Sequence, residues 1–180
     1  MSKQFTENAI FAMGCFWCGE SEFKNHATQT LLPGISSLTV GYAGGTIPEP
    51  NYENHAGYRE AVKLIFDPKT ISYKELLDIF WHNIDPFDDA GQFCDRGFAY
   101  TAAIFFENEA QKRLAEITKA EIHKYFKQSV KTEIIPYTTF YDGEGYHQNF
   151  KIKNPARYTN YRQGCGRDLR LKVLWGEKTG

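Results

Sequence analysis

Cysteine is scarce in this chain, with four in 180 residues. That is too few for a disulfide scaffold. Zinc calls for about four ligands, usually as two close pairs. Only Cys15 and Cys18 are close in sequence, so no metal site is expected. Charge of one sign is lacking as well: the formal net charge is −1, with no basic patch or charge run. This argues against nucleic acid or an anionic membrane as the main partner. No apolar stretch approaches the ~18 residues that would span a bilayer. Gln4, Thr6, Glu7 and Asn8 interrupt any signal-peptide core near the start. Internal repeats, low-complexity segments and linkers are missing too. The expectation is a single cytoplasmic domain over residues 1–180, long enough to bury a core without staples.

What is present is concentrated in Gly14-Cys15-Phe16-Trp17-Cys18. Two thiols stand one helical turn apart, after the apolar run Ala9-Ile10-Phe11-Ala12-Met13 and before an amphipathic stretch. This places Cys15 at a helix N-terminus, where unpaired N–H groups and the dipole favour a thiolate. A thiolate is a nucleophile, so the pentapeptide points to redox or nucleophilic chemistry. Cys94 and Cys165, each taken alone, read as inert residues. Gly164-Cys165-Gly166 has flanks that let a backbone swing, which suits a second thiol travelling to Cys15. Aromatic residues make up 16% of the chain, enough for a pocket around a soft apolar group.

Periodicity supplies the framework. Residues 8–13 read as a buried strand and 15–27 as a helix with Phe16, Phe23 and Ala27 on one stripe. Leu32-Pro33-Gly34 is a turn, and 35–43 a strand with Leu38, Val40 and Tyr42 on one face. In the strand 58–66, Tyr58, Glu60, Val62, Leu64 and Phe66 share a face. Ser72-Tyr73-Lys74-Glu75 is a capping box ahead of a stripe of Leu76, Leu77, Phe80, Trp81 and Ile84. A strand is expected at 98–106, a helix capped by Asn108 at 108–127, and a short strand at 131–135. This order predicts an α+β fold, a two-layer sandwich with helices on one face of a mostly antiparallel sheet. The core is expected over about 8–136, with a wrapping tail of short helices over about 137–180.

Glu60 shares its face with Val62, Leu64 and Phe66 and should point inward, unless it sits solvated at a frayed strand start. Burial raises a carboxyl pKa and can keep the acid protonated near neutrality. Such an acid beside a thiolate is a proton donor. The segment from Asp85 to Gly97 is a long loop carrying Asp88, Asp89 and Asp95, with Cys94 at its end. Tyr100 follows, facing inward from the expected strand.

Together these residues resemble a family. Gly14-Cys15-Phe16-Trp17 with Glu20, Gly41-Tyr42-Ala43-Gly44-Gly45, Asn51-Tyr52 and Glu60-Ala61-Val62 look like the A-type peptide-methionine sulfoxide reductases. Phe80-Trp81, Asp95-x-Gly97, Tyr100, Tyr146-His147-Gln148 and Asn154-Pro155 extend the match in order to about Gly176. The resemblance implies a ferredoxin-like α/β plait and reduction of methionine-S-sulfoxide, free or in proteins. It implies Cys15 as nucleophile and Glu60 as the acid that protonates the sulfoxide oxygen. Tyr52 and Tyr100 would bind that oxygen, Asp95 would support them, and Phe16 and Trp17 would wall the methyl group. Thioredoxin or another dithiol would be the reductant; no cofactor is implied, and a monomer is expected. The chain departs from the family pattern at Cys18, where glycine is usual, at Cys94, where asparagine is frequent, and at Tyr58-Arg59. Cys18 and Cys165 are both candidates for the resolving thiol, and Cys94 stands outside both. Two other readings compete: a thiol–disulfide oxidoreductase using Cys15-x-x-Cys18, and a non-enzymatic module that binds Met-containing peptides.

Overall fold

The computed structural model describes residues 5–176. Among the described residues, eight strands and six helices begin with β1 (Glu7–Ala12), α1 (Phe16–Glu22), β2 (Ile35–Ala43), β3 (Arg59–Phe66), α2 (Tyr73–His82), β4 (Gly91–Gln92) and β5 (Asp95–Arg96). A 3-10 turn (Phe98–Tyr100) leads to β6 (Ala103–Phe106), α3 (Glu109–Phe126), β7 (Glu133–Pro136) and β8 (Phe140–Asp142). The chain continues through α4 (Phe150–Lys153), α5 (Pro155–Gly164) and α6 (Arg167–Trp175). The fold is α+β. Its main sheet has six strands in the order β7-β6-β1-β3-β2-β8, antiparallel except for the β6–β7 pair.

The period-2 patterns set the faces of this sheet. Phe11, Val40, Val62, Leu64 and Phe66 bury into the main core with Phe23, Phe80 and Trp81. The Phe11 and Phe80 rings stack at 5.2 Å between centroids. Alternate residues (Ile10, Ala12, Ala43, Ala61, Ala103 and Phe105) form a smaller cluster. Helix α2 starts where its capping box lies: Glu75 N–H donates to Ser72 Oγ, and Ser72 N–H donates to Glu75 Oε2. Its buried residues Leu76, Leu77, Phe80 and Trp81 are at most 1% exposed, each worth about 1.5–3 kcal/mol of apolar burial.

Four local expectations need correction. Helix α1 ends at Glu22, far short of residue 27, because Asn25 Oδ1 captures the N–H groups of Ala27 and Thr28 in a local turn. Tyr100 lies in the 3-10 turn rather than in a strand. Gly97, with φ +111, opens that turn, and the Thr101 hydroxyl donates to Phe98 carbonyl across it. The loop from Asp85 to Gly97 contains the β4–β5 hairpin, pairing Gly91 with Arg96 and Gln92 with Asp95. The main sheet also continues past residue 136: β8 pairs with β2 from Gly41–Asp142 to Ala43–Phe140, so residues 137–142 are not a tail. Gln148 then fastens the following segment to β2 by bonding both Val40 N–H and Val40 carbonyl.

Candidate active site

The site forms where β1 hands over to α1. Gly14 makes the turn with φ +80, a conformation that L side chains rarely adopt, and a Cβ there would lie 2.6 Å from Gln92 Cβ. The chain therefore passes tight under the β4–β5 hairpin and delivers Cys15 as the N-cap of α1. The Cys15 carbonyl accepts from Cys18 and Gly19 N–H at 3.1 and 3.2 Å. Its side chain caps nothing, which leaves the sulfur available for chemistry.

The first orphan N–H of α1 is satisfied from across the fold. Phe16 N–H donates to Glu60 Oε2 at 2.9 Å. Glu60 sits on β3 opposite Tyr42 and is 1% exposed. Its carboxyl is thus pinned at the helix start beside Cys15. Burial pushes its pKa up to about 8, more than the Phe16 hydrogen bond holds it down, and negative Asp95 pushes further. The acid is mostly protonated at neutral pH.

Around this pair, Cys15, Phe16, Trp17, Tyr52, Glu60, Asp95, Tyr100 and Tyr161 line one cavity of about 180 Å³. Pockets for drug-sized ligands begin near ~300 Å³, so this one suits a side chain more than a cofactor. Trp17 is held rigidly: it stacks on Phe150 at 3.6 Å with an interplanar angle of 3°, and its indole N–H donates to His147 Nδ1 at 3.0 Å. Tyr52 reaches the cavity from an exposed loop, fixed by its N–H donating to Glu144 Oε1 at 2.7 Å. Tyr52 and Tyr100 both line the cavity. Burial raises both phenols, so both stay neutral donors.

One electrostatic expectation is overturned. The helix start does not by itself ionise Cys15. Burial pushes its thiol well above the usual range, helped by its hydrogen bond to Cys18 and by the negative charge available to Cys18 and Glu60. The Cys15 hydrogen bond, followed by the charges of Arg167 and Arg162, instead brings Cys18 down to about 7. Helix α1 is only seven residues long, and its leading N–H is already spent on Glu60. Desolvation therefore outweighs the helix end at Cys15. Cys15 as a residue is 6% exposed and lines the cavity.

Cys94 and Cys165 are joined in a disulfide, while Cys15 and Cys18 are free. Cys94 is thus no outsider, and Cys165 is not a free thiol here. The bond ties the β4–β5 hairpin to the C-terminal end of α5, and Cys165 Sγ lies 4.0 Å from Asp95 Oδ2. Ligand atoms of Cys94, Asp95 and Cys165 lie within 4.8 Å of one another, but disulfide sulfurs offer no thiolate to a metal. Three residues of the site escaped the sequence reading: Tyr161, whose hydroxyl donates to Asp95 Oδ2, His147 under Trp17, and Glu144 under Tyr52. Only the motif containing His147 gave a signal. Glu144 also accepts from Tyr42 hydroxyl at 2.8 Å.

Residues 7–179 match the family model described as peptide methionine sulfoxide reductase. The chain is 44% identical to the peptide methionine sulfoxide reductase MsrA of Bacillus subtilis over 178 residues, covering 96% of this chain and 97% of the relative. It is 42% identical to MsrA 2 of Staphylococcus aureus, with 99% of each chain covered. Among solved structures, reduced Mxr1 of Saccharomyces cerevisiae superposes with a TM-score of 0.76 at 28% identity, over 84% of this chain and 87% of that one. Methionine sulfoxide reductase A of Corynebacterium diphtheriae gives a TM-score of 0.72 at 26% identity, over 86% of this chain and 77% of that one. The motif around Cys15, the pinned acid and these likenesses agree: the chain belongs to the peptide methionine sulfoxide reductase family.

Proposed function

We propose that this protein reduces methionine-S-sulfoxide, free or in proteins, with Cys15 as nucleophile and Glu60 as proton donor. The convergence of Cys15 with a protonated, hydrogen-bonded Glu60 in one aromatic cavity carries this reading. A sulfoxide sulfur is a poor electrophile until its oxygen gains a proton. Glu60 supplies that proton, and the Tyr52 and Tyr100 hydroxyls hold the oxygen. Phe16 and Trp17 pack the S–CH3 group through sulfur–aromatic contact. Cys15 sulfur is oxidised by two electrons to a sulfenic acid, methionine sulfur is reduced by two, and Glu60 is left ionised.

Cys18 then attacks the sulfenic acid, because it is free, one turn away and the more easily ionised thiol. A Cys15–Cys18 disulfide forms and water leaves. An external dithiol of the thioredoxin type returns the pair to thiols. Cys165 keeps a second claim only once its bond to Cys94 is reduced, since its sulfur stands 4.0 Å from Asp95 Oδ2. A cytoplasmic setting fits two catalytic thiols that must be kept reduced. A monomer is the working unit of this proposal. No helix among the described residues is long and apolar enough to cross a membrane. The sheet order β6-β1-β3-β2, with α1 and α2 as the crossovers, supports a single domain built on a ferredoxin-like plait, and the residues after β8 read as a tail laid across it.

The test is a quench experiment on reduced protein without added reductant. The S epimer of methionine sulfoxide should give a stoichiometric burst of methionine and the R epimer none. Insulin disulfides reduced in place of the sulfoxide would favour the thiol–disulfide oxidoreductase; sulfoxide peptide bound without turnover would favour the binding module.

A further inference from the structure

The reductase reading leaves one proton without a destination. Glu60 must keep its proton for the sulfoxide oxygen, yet the Cys15 thiol must lose its own to become a nucleophile. Burial opposes that loss, so a base within reach is required.

Tyr161 lies between Cys15 and such a base. Its hydroxyl donates to Asp95 Oδ2, and Tyr161 lines the same cavity as Cys15, where its side chain favours the thiolate. Both ends of this bridge are anchored. The Tyr161 ring stands edge-on to Trp17 at 5.8 Å, and its carbonyl accepts from Cys165 N–H at 2.9 Å. Cys165 in turn is bonded to Cys94, the neighbour of Asp95. One disulfide thus holds donor and acceptor in register. A phenol carries one O–H and free lone pairs, so it can take a proton on one side while releasing another on the far side.

We propose that Tyr161 is a catalytic residue that passes the Cys15 proton to Asp95 as the thiol becomes the nucleophile. The Cys15 S–H bond breaks and its proton moves to Tyr161 Oη, while the Tyr161 O–H proton moves to Asp95 Oδ2. Tyr161 ends unchanged, no electrons are transferred, and one negative charge passes from the carboxylate to the sulfur. Burial of Asp95 raises its affinity for a proton, and burial of Tyr161 keeps the phenol neutral. Both shifts suit a conduit ending in a base. The inference rests on the reductase reading, since it assigns the proton of the same nucleophile. Cys18, free, one turn away and the more easily ionised thiol, is the rival acceptor.

The experiment compares Tyr161→Phe, Asp95→Asn, the double variant and Cys18→Ser, each with Cys15 reduced. Two quantities are read: methionine formed in a single turnover, and the pH midpoint for iodoacetamide alkylation of Cys15, located by peptide mass. Both single variants should slow the single turnover by about a hundredfold or more, the low side of what proton transfer contributes. The double variant should be no slower than the slower single, as for groups acting as a unit. The alkylation midpoint should rise in all three. Wild-type rates in both singles, losses that multiply in the double, or a midpoint moved by Cys18→Ser alone would overturn the proposal. Asp95→Asn keeps the tyrosine ring against Trp17, so it separates proton transfer from packing. A wild-type protein that forms no methionine would sink the reductase reading, while the alkylation arm would still report the proton path.

Discussion

The two cysteine pairs use one residue type in two ways. Cys15 and Cys18 sit within one turn of a helix, both buried and both free, beside a protonated acid and an aromatic wall. Cys94 and Cys165 are 71 residues apart, more open to solvent, and bonded across a hairpin and a helix end. Desolvation makes the first pair depend on its neighbours for every proton, which is a means of control. The second pair has no thiol to control; it fixes where Asp95 and Tyr161 stand. Surroundings, rather than residue type or sequence spacing, divide the labour between reacting sulfur and holding sulfur.

Four substitutions test that division. The largest effect is expected for Cys15→Ser: a hydroxyl in a cavity of this kind should form no methionine, and any burst of product would move the nucleophile elsewhere. Next comes Glu60→Gln, which should slow a single turnover by about 10²–10⁴, the usual contribution of a positioned acid. With wild-type protein the rate should fall as pH rises through about 8, where Glu60 loses its proton. The same shift bears on folding. The folded acid holds its proton to about 8 against the usual 4.5, so its contribution to stability is full below 4.5 and lost as pH rises to 8. Thermal melts above pH 8 should therefore find Glu60→Gln more stable than wild type, although less active.

Cys18→Ser should leave one turnover intact and stop recycling by a dithiol protein, seen as a burst without a steady state. Steady recycling would show that Cys18 is not the resolving thiol. Smallest in its effect on chemistry is Cys94→Ser, which should slow the single turnover less than Glu60→Gln does. Its cost falls on folding: releasing a 71-residue loop should lower stability by about 4 kcal/mol in urea titrations, on the chain-entropy account. A stability equal to wild type would deny the second pair its holding role.

Short-range signals carried most of the framework. The alternation through Glu60, Val62, Leu64 and Phe66 was enough to turn that acid inward, because the period of a strand is two whatever it packs against. The capping box at Ser72 and the Asn108 cap are local hydrogen bonds, legible for the same reason. Tyr100 was misplaced because apolar alternation continued through residues 98–102 while Gly97 and Thr101 bent the backbone into a turn. The Cys94–Cys165 bond and the reach of Tyr161 depend on how the end of the chain folds back over the hairpin. No periodicity in α5 announces that path: its one buried residue, Tyr158, faces the Cys18 side. The depth of Cys15 was invisible for a similar reason, since desolvation belongs to the packed cavity and not to the pentapeptide.

Peptide mass mapping after one turnover is the decisive measurement. Protein with Cys15 and Cys18 reduced receives one equivalent of methionine-S-sulfoxide and no reductant, then is digested without reduction. One methionine should be released per chain, with a new bond between Cys15 and Cys18. Methionine released with Cys15 still an unmodified thiol would contradict Cys15 as the nucleophile.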